Sequence, residues 1–346
     1  MSNPPAPRIL QAMAGAPQGG AENFFVRLAG GLARAGVEQK IVIRRNPERA
    51  AALRAEGIEP VELPFGAWFD FTTSPTLLRL VRDWRPAVVL TWMNRATRAM
   101  PPGPFVHAAR MGGYYDLKYY RRCHQLIGNT QDIVDHIVRG GWPPERAHYL
   151  PNFVDDRPAD PVRRTDLGTA DDAPVLLAAG RLHRNKAFDV LLAALARLPR
   201  ATLWLAGEGP ERDALTRQAA DLGVAARVRF LGWRDDVAAL CGAADIFVCP
   251  SRHEPLGNVV LEAWARGLPM VAASSQGPAG LIEDGRTGLL VPIDDAEALA
   301  AAIDRVLEDP ALARDLARAG RAQHDAHFSE AAVVGRYIEF FQQVAA

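Results

Sequence analysis

Cysteine is scarce in this chain. Cys123, Cys241 and Cys249 are the only three in 346 residues, with no C-x-x-C pair and no even-numbered set. That excludes a disulfide framework and fits a reducing cytoplasm, so the thiols are expected to be buried as small apolar side chains. Long apolar runs are missing as well: none approaches the ~18–20 residues a membrane span needs. The start, Met-Ser-Asn-Pro-Pro, lacks the basic-then-apolar order of a signal peptide, so a cytoplasmic location is expected. Net charge is zero, with 40 basic and 40 acidic residues. Residues 1–156 hold 19 basic against 14 acidic residues, a balance of +5, and the remainder holds 21 against 26, or −5. This asymmetry is too mild for a nucleic-acid partner, which wants a dense basic stripe. It does permit a basic first half that meets an anionic acceptor or a membrane surface. Lysine is rare too: Lys40, Lys118 and Lys186 stand against an arginine default.

What is present is the make-up of a soluble globular protein, 49% hydrophobic and 23% charged, long enough for two domains. Short apolar runs alternate with helical periodicity, which predicts parallel sheets covered by helices. Strands are expected at Arg8–Met13, Gln39–Arg44, Val88–Met93, Phe105–Ala109 and Gln125–Gly128. An amphipathic helix with Phe25, Leu28 and Leu32 on one face separates the first two. Asn129 or Thr130 is placed to cap another helix, ending near Gly140-Gly141. The pattern breaks at Leu150–Asp156, and a polar stretch runs on to about Pro174. Further strands follow at Val175–Ala179, Thr202–Ala206, Val228–Leu231, Ile246–Cys249, Met270–Ala272 and Leu289–Val291. Helices are expected around Phe188–Leu198, Glu211–Leu222, Asn258–Arg266 and Ala296–Leu307, and two more close the chain at Ala311–His324 and Glu330–Val344. The division is therefore 1–156, 157–328 and a terminal helix over 329–346. The fold class is α/β, two doubly wound domains with parallel sheets facing across a cleft, where open sheets place their ligands.

The most informative stretch runs from Cys249 to Val271. A strand enters a polar loop holding Glu254; a helix opens near Gly257 and carries Glu262 about two turns further on. A helix start offers unpaired N–H groups and a positive dipole end, which suits phosphate. Two carboxylates beside such a site would instead grip hydroxyls, and an anion flanked by hydroxyls describes a sugar nucleotide. Gly180-Arg181-Leu182-His183-Arg184-Asn185-Lys186 follows a strand directly and sets Arg181 and Lys186 at the carboxyl edge of the sheet, where a diphosphate would lie. A solvated basic turn is the plainer alternative. Gly207-Glu208-Gly209-Pro210 resembles a tight turn in which Gly209 allows close backbone approach. Phe230–Arg234 is a candidate wall for a nucleobase, with structural packing as its rival. Gly19 and Gly20, between the first strand and helix, would let a ligand reach the helix start, although G-x-G-x-x-G is not present.

Taken in order, Gly19-Gly20-Ala-Glu22, Pro151-Asn152-x-Val154-Asp155, Gly180-Arg181-Leu182-x-x-x-Lys186, Gly207-x-Gly209-Pro210 and Glu254-x7-Glu262 resemble the retaining GT-B glycosyltransferases of family 4. The resemblance extends from about residue 8 to residue 344. It implies two Rossmann-like domains, with a nucleotide-sugar donor held mainly by the second and the last helix returning to the first. It further implies that Arg181 and Lys186 bind the diphosphate and stabilise the leaving group. Glu262 would hold ribose hydroxyls and Glu254 those of the transferred sugar, while Gly257 and Asn258 supply backbone donors. No D-x-D occurs in the chain, in keeping with the family's metal-independent chemistry, so no metal and no cofactor beyond the donor is expected. Retention in this fold is attributed to same-face attack, so no enzymic nucleophile is named.

One departure concerns the histidine most members carry after the fourth strand of the first domain. Arg110 stands there, and is taken to contact donor sugar or phosphate. His107 is the other candidate, although a strand histidine is more often packed or bonded locally. Four of six tyrosines crowd into Tyr114–Tyr120, interleaved with Lys118 and followed by Arg121-Arg122. This segment suits a glycan or glycolipid acceptor platform or a peripheral membrane contact, against an ordinary half-buried helix. It resembles segments of bacterial enzymes building lipopolysaccharide cores or other surface glycans. Three other readings stay open: a non-catalytic sugar-nucleotide-binding or assembly subunit, an inverting transferase on the same scaffold, and a nicotinamide-dependent oxidoreductase. The missing fingerprint weighs against the last.

Overall fold

The computed structural model describes residues 7–17, 19–66 and 70–346. The Met1–Pro5 start discussed above therefore lies outside the described residues, as does Gln18 of the first glycine loop. The chain forms two units. One comprises the residues up to Phe153 together with Glu330–Ala346; the other is Val154–Ser329.

In the first unit, β1 (Ile9–Met13), α1 (Gly20–Arg34), β2 (Gln39–Arg44), α2 (Pro47–Ala55), β3 (Val61–Leu63), α3 (Thr73–Trp84), β4 (Val88–Trp92), α4 (Met93–Ala99), β5 (Val106–Met111), β6 (Gln125–Gly128), α5 (Gln131–Arg139) and β7 (Ala147–Tyr149) follow in order. The described strands make one parallel sheet, ordered β3-β2-β1-β4-β5-β6-β7. β1 and β4 are buried along their whole length, as central strands covered on both faces must be. One face packs against Phe24, Phe25, Leu28 and Leu32 of α1 and Val333, Tyr337 and Phe341 of the C-terminal helix Glu330–Ala345. Phe25 stands edge-on to Trp92, ring centroids 5.3 Å apart. The other face packs on Leu77 and Val81 of α3, Ala96 of α4 and Phe65. Thr130 caps α5, accepting from the Ile133 N–H at 3.2 Å.

The second unit contains β8 (Val175–Ala179), α6 (Phe188–Leu195), β9 (Thr202–Ala206), α7 (Arg212–Asp221), β10 (Val228–Gly232), α8 (Val237–Ala243), β11 (Ile246–Cys249), α9 (Asn258–Ala265), β12 (Met270–Ala273), α10 (Gln276–Leu281), β13 (Leu289–Val291), α11 (Ala296–Glu308) and α12 (Pro310–His327). Its parallel sheet runs β10-β9-β8-β11-β12-β13. Both sheets are doubly wound. Chain order reverses between β1 and β4 in the first and between β8 and β11 in the second, and open α/β sheets place ligands outside the carboxyl ends at such a reversal.

Several elements escaped the sequence pattern. β3 and β7 are edge strands, partly exposed and interrupted by Glu62 and His148, so they show no apolar run of the kind that marks the equally short β13, and α2, α3, α4, α8 and α10 were not anticipated. The strand expected to include Met93 ends at Trp92; Met93 opens α4 with φ 68°, a left-handed conformation uncommon outside glycine. Glu262 is the fifth residue of α9, little more than one turn from its start rather than two. The three thiols are free and buried as expected, and burial pushes those of Cys123 and Cys241 up to about 12. Among the described residues no helix is long and apolar enough to cross a membrane.

Candidate functional site

At the reversal point of the second sheet, the loop leaving β8 meets the loop leaving β11. Lys186 ends a 3-10 turn, Arg184–Lys186, whose start is capped by the His183 ring. Its ammonium forms an ion pair with Glu254, which is buried in the other loop. The loops are joined twice more: the His253 N–H donates to the Asn185 carbonyl at 3.1 Å, and Arg252 donates to the Arg184 carbonyl and to both carboxylate oxygens of Asp189. The second Glu254 oxygen lies 3.4 Å from the Gly257 nitrogen at the cap of α9. Glu254 thus supplies a negative charge at that helix start. An ammonium has three donors, so Lys186 can keep Glu254 and still reach a phosphate oxygen. Arg181 is exposed and has no hydrogen bond or ion pair among the described residues.

The loops after β8, β9 and β10 are fastened backbone to backbone. The Leu182 N–H donates to the Glu208 carbonyl at 2.8 Å, and the Gly207 N–H to the Gly232 carbonyl at 2.7 Å. A Cβ on Gly209 would sit 2.4 Å from the Leu182 carbonyl oxygen. The close approach that Gly209 permits is therefore that of the neighbouring loop. Sequence reasoning missed Gly277 at the start of α10. Its N–H donates to the Glu254 carbonyl at 2.6 Å, and a Cβ there would lie 2.5 Å from the Gly257 nitrogen. Gly257 takes a left-handed conformation, φ 70°, before Asn258 begins α9. Glu262, half-buried, lies close enough to Cys241 that its charge adds to burial in raising that thiol. Trp233, in the proposed nucleobase wall, is 75% exposed.

In the first unit the glycine loop follows β1 at that sheet's reversal point. It wraps around Glu22, whose buried carboxylate accepts from the Ala16 N–H at 2.8 Å. A Cβ on Gly15 or Gly19 would fall 2.0 or 2.4 Å from the Glu22 oxygens, whereas one on Gly20 would meet nothing within 4 Å. Room for Glu22 thus accounts for Gly19; Gly20 lies open at the start of α1. Arg49 of α2, unremarked in the sequence, donates to the Ala16 carbonyl at 2.6 Å and holds the loop from outside.

Arg110 is 3% exposed. Its Nε donates to the Tyr337 hydroxyl at 2.9 Å, one terminal nitrogen donates to Asn152, and the guanidinium lies 4.5 Å and 4.7 Å from the ring centroids of Phe24 and Trp92. These contacts bind β5, the C-terminal helix and the end of the first unit together. His107 is buried on the opposite face, its Nε2 3.0 Å from the Thr91 hydroxyl, and burial lowers its pKa to about 4. It is bonded locally, as strand histidines usually are. The tyrosine run divides: Tyr120 is buried and bonded to Asn94, Tyr115 is half-buried, Tyr114 donates to Asp132, and Tyr119 stands between Lys118 and Arg98. It forms a 3-10 turn, Leu117–Tyr119, rather than a helix.

Two parallel Rossmann-like sheets with this loop chemistry define a GT-B protein, and solved structures agree. The Anabaena protein Alr3699/HepE in complex with UDP and glucose aligns over 97% of this chain and 100% of its own, with TM-score 0.79 at 22% identity. A Rickettsia africae glycosyltransferase aligns over 98% of each chain, with TM-score 0.85 at 18% identity. The family model described as "Glycosyltransferase Family 4" matches residues 18–157, and "Glycosyl transferases group 1" matches residues 173–309. The lipopolysaccharide core biosynthesis glycosyltransferase LpsE of Rhizobium meliloti is 40% identical over 331 residues, 93% of this chain and 95% of its own length. LpsD of the same organism is 35% identical over 334 residues, covering 94% and 96%. The chain belongs to the family 4 (group 1) glycosyltransferases and is a glycosyltransferase.

Proposed function

We propose that this enzyme moves a sugar from a nucleotide-sugar donor to a glycan or glycolipid hydroxyl in lipopolysaccharide core assembly, with retained configuration and without metal. The observation that carries the reading is the Lys186–Glu254 ion pair at the reversal point of the second sheet. It sets a cation suited to a leaving diphosphate beside an acid suited to sugar hydroxyls. The full-length likeness to LpsE supports the acceptor class, and the UDP bound to HepE supports the donor class.

In this reading Arg181 and Lys186 neutralise charge as the bond from the anomeric carbon to the phosphate oxygen breaks. The acceptor oxygen attacks from the same face, and its proton passes to the departing phosphate. Glu254 orients the transferred sugar and Glu262 the ribose, with backbone N–H groups at Gly257 and Asn258 directed to the donor. Gly209 shapes the loop after β9 for the donor, and Gly19 and Gly20 are the proposed donor-binding glycines of the loop after β1. Arg110 supports the first unit from within. The proposed place of action is the cytoplasm, with the Tyr114–Arg122 segment as the contact for the glycan or glycolipid acceptor.

A thermal-shift screen against UDP-, GDP- and ADP-sugars with chelator present tests the donor: at ~100 times its Kd the right one raises stability by about 2.7 kcal/mol. NMR of the product anomer tests retention, and an inverted product refutes it. Glu262→Ala is expected to raise the donor KM; an effect on kcat alone excludes ribose binding.

A further inference from the structure

The first unit contains two cavities that share Arg98 and Tyr119 as walls. The smaller, about 370 Å³, is lined by Arg98, Lys118, Tyr119, Arg121 and Arg122. The larger, about 760 Å³, has Ser74, Asn94 and Arg95 among its lining residues. Four of the five residues around the smaller cavity are cations, and only Lys118 has an acid partner there, Asp116 at 2.7 Å. Arg98, Arg121 and Arg122 have no ion pair among the described residues.

The arrangement is held in place. Asp116 caps the turn through the Lys118 N–H at 2.9 Å, buried Tyr120 bonds to Asn94, and Arg122 donates to the Arg98 carbonyl at 2.6 Å. Four cations kept close around a concavity with one carboxylate, Asp116, beside them leave an excess of positive charge to be balanced from outside. Three arginine forks beside a lysine shared with Asp116 match an oxyanion with several acceptor oxygens and more than one negative charge. We infer that the smaller cavity binds a phosphomonoester-class substituent carried by the glycosyl acceptor, whose sugar lies in the larger one. The inference rests on the acceptor reading above and deepens it. A membrane surface fits this place less well. Tyr115 and Tyr120 turn inward and Tyr119 is flanked by cations, so within Tyr114–Arg122 only Tyr114 presents an exposed ring free of flanking cations to a headgroup boundary, and the other exposed ring near these cavities is Phe71, among the described residues.

The test measures binding of glucose 6-phosphate and of glucose to the full chain, to Arg98→Gln/Arg121→Gln and to Lys186→Ala. The phosphorylated sugar is expected to bind wild type and Lys186→Ala alike, more tightly than glucose, and to weaken with salt. The double variant is expected to lose roughly 10-fold or more, the scale of one charge-assisted hydrogen bond, while its UDP binding stays unchanged. Undiminished binding by the double variant overturns the inference. So does loss confined to Lys186→Ala, which assigns the phosphate to the second unit. Phosphatidylglycerol vesicles that bind wild type but not the double variant, with no effect of glucose 6-phosphate, also overturn it and favour a membrane. Failure of the donor reading would show as no response to any nucleotide sugar and would leave the glucose 6-phosphate result standing.

Discussion

Lys186 and Glu254 are 68 positions apart in the chain, and their side chains form an ion pair between the loops of two adjacent strands. Neither is near the other in sequence; the pairing of β8 with β11 brings them together. If Lys186 stabilises charge on the departing diphosphate, Lys186→Ala lowers turnover by at least ~10²-fold, the usual scale for one such group. Single-turnover kinetics with saturating donor measures this directly. An unchanged rate removes Lys186 from the chemistry.

Gly277 carries the loop of Glu254 on its N–H. Gly277→Ala adds a methyl where the Gly257 nitrogen and the Glu254 carbonyl already stand at 2.5 and 2.6 Å. Overpacking of backbone against backbone is expected to cost about 1–3 kcal/mol and to weaken donor binding together with stability. Urea unfolding and donor titration on the same variant check both halves. Stability lost without any change in affinity would separate this support from the site.

Arg110→Met keeps bulk but removes the donors to Tyr337 and Asn152 and the charge between Phe24 and Trp92. The expected loss is about 1–3 kcal/mol, from polar partners left unmatched in the interior. Calorimetry reads it as a lower Tm. A normal Tm with a raised donor KM would instead support the contact with donor that the sequence suggested.

His107 gives a pH dependence with a definite sign. Burial, aided by the positive charge of His124 and Arg122, lowers its pKa to about 4, against about 6.5 in the unfolded chain. Between those values the unfolded state binds the extra proton, so stability rises with pH. His107 therefore costs nothing above about pH 7, and its destabilising effect grows as pH falls toward 4, reaching at most about 3 kcal/mol. Replacing it by Gln should flatten that window in urea midpoints recorded across pH. An equally steep profile in the variant places the dependence elsewhere.

The alternation of apolar runs was enough to read the long buried strands and the covering helices, because burial on both faces leaves few ways to write such segments. The edge strands β3 and β7, half-exposed and broken by Glu62 and His148, carry no apolar run to read and are defined by pairing with the neighbouring strand. The positions of the candidate residues in the second unit, Arg181, Lys186, Glu254 and Glu262, at strand exits or an early helix turn were also legible. Their partnership was not. A sequence lists loops one after another, whereas a parallel sheet seats β8 against β11, and that adjacency makes Lys186 the counter-ion of Glu254. Tertiary packing likewise decided which polar residues turn inward. Arg110 finds the faces of Phe24 and Trp92 once α1 packs on the first sheet and the Tyr337 hydroxyl only once the last helix docks there, and the glycine loop closes on Glu22 because α1 begins where that loop ends.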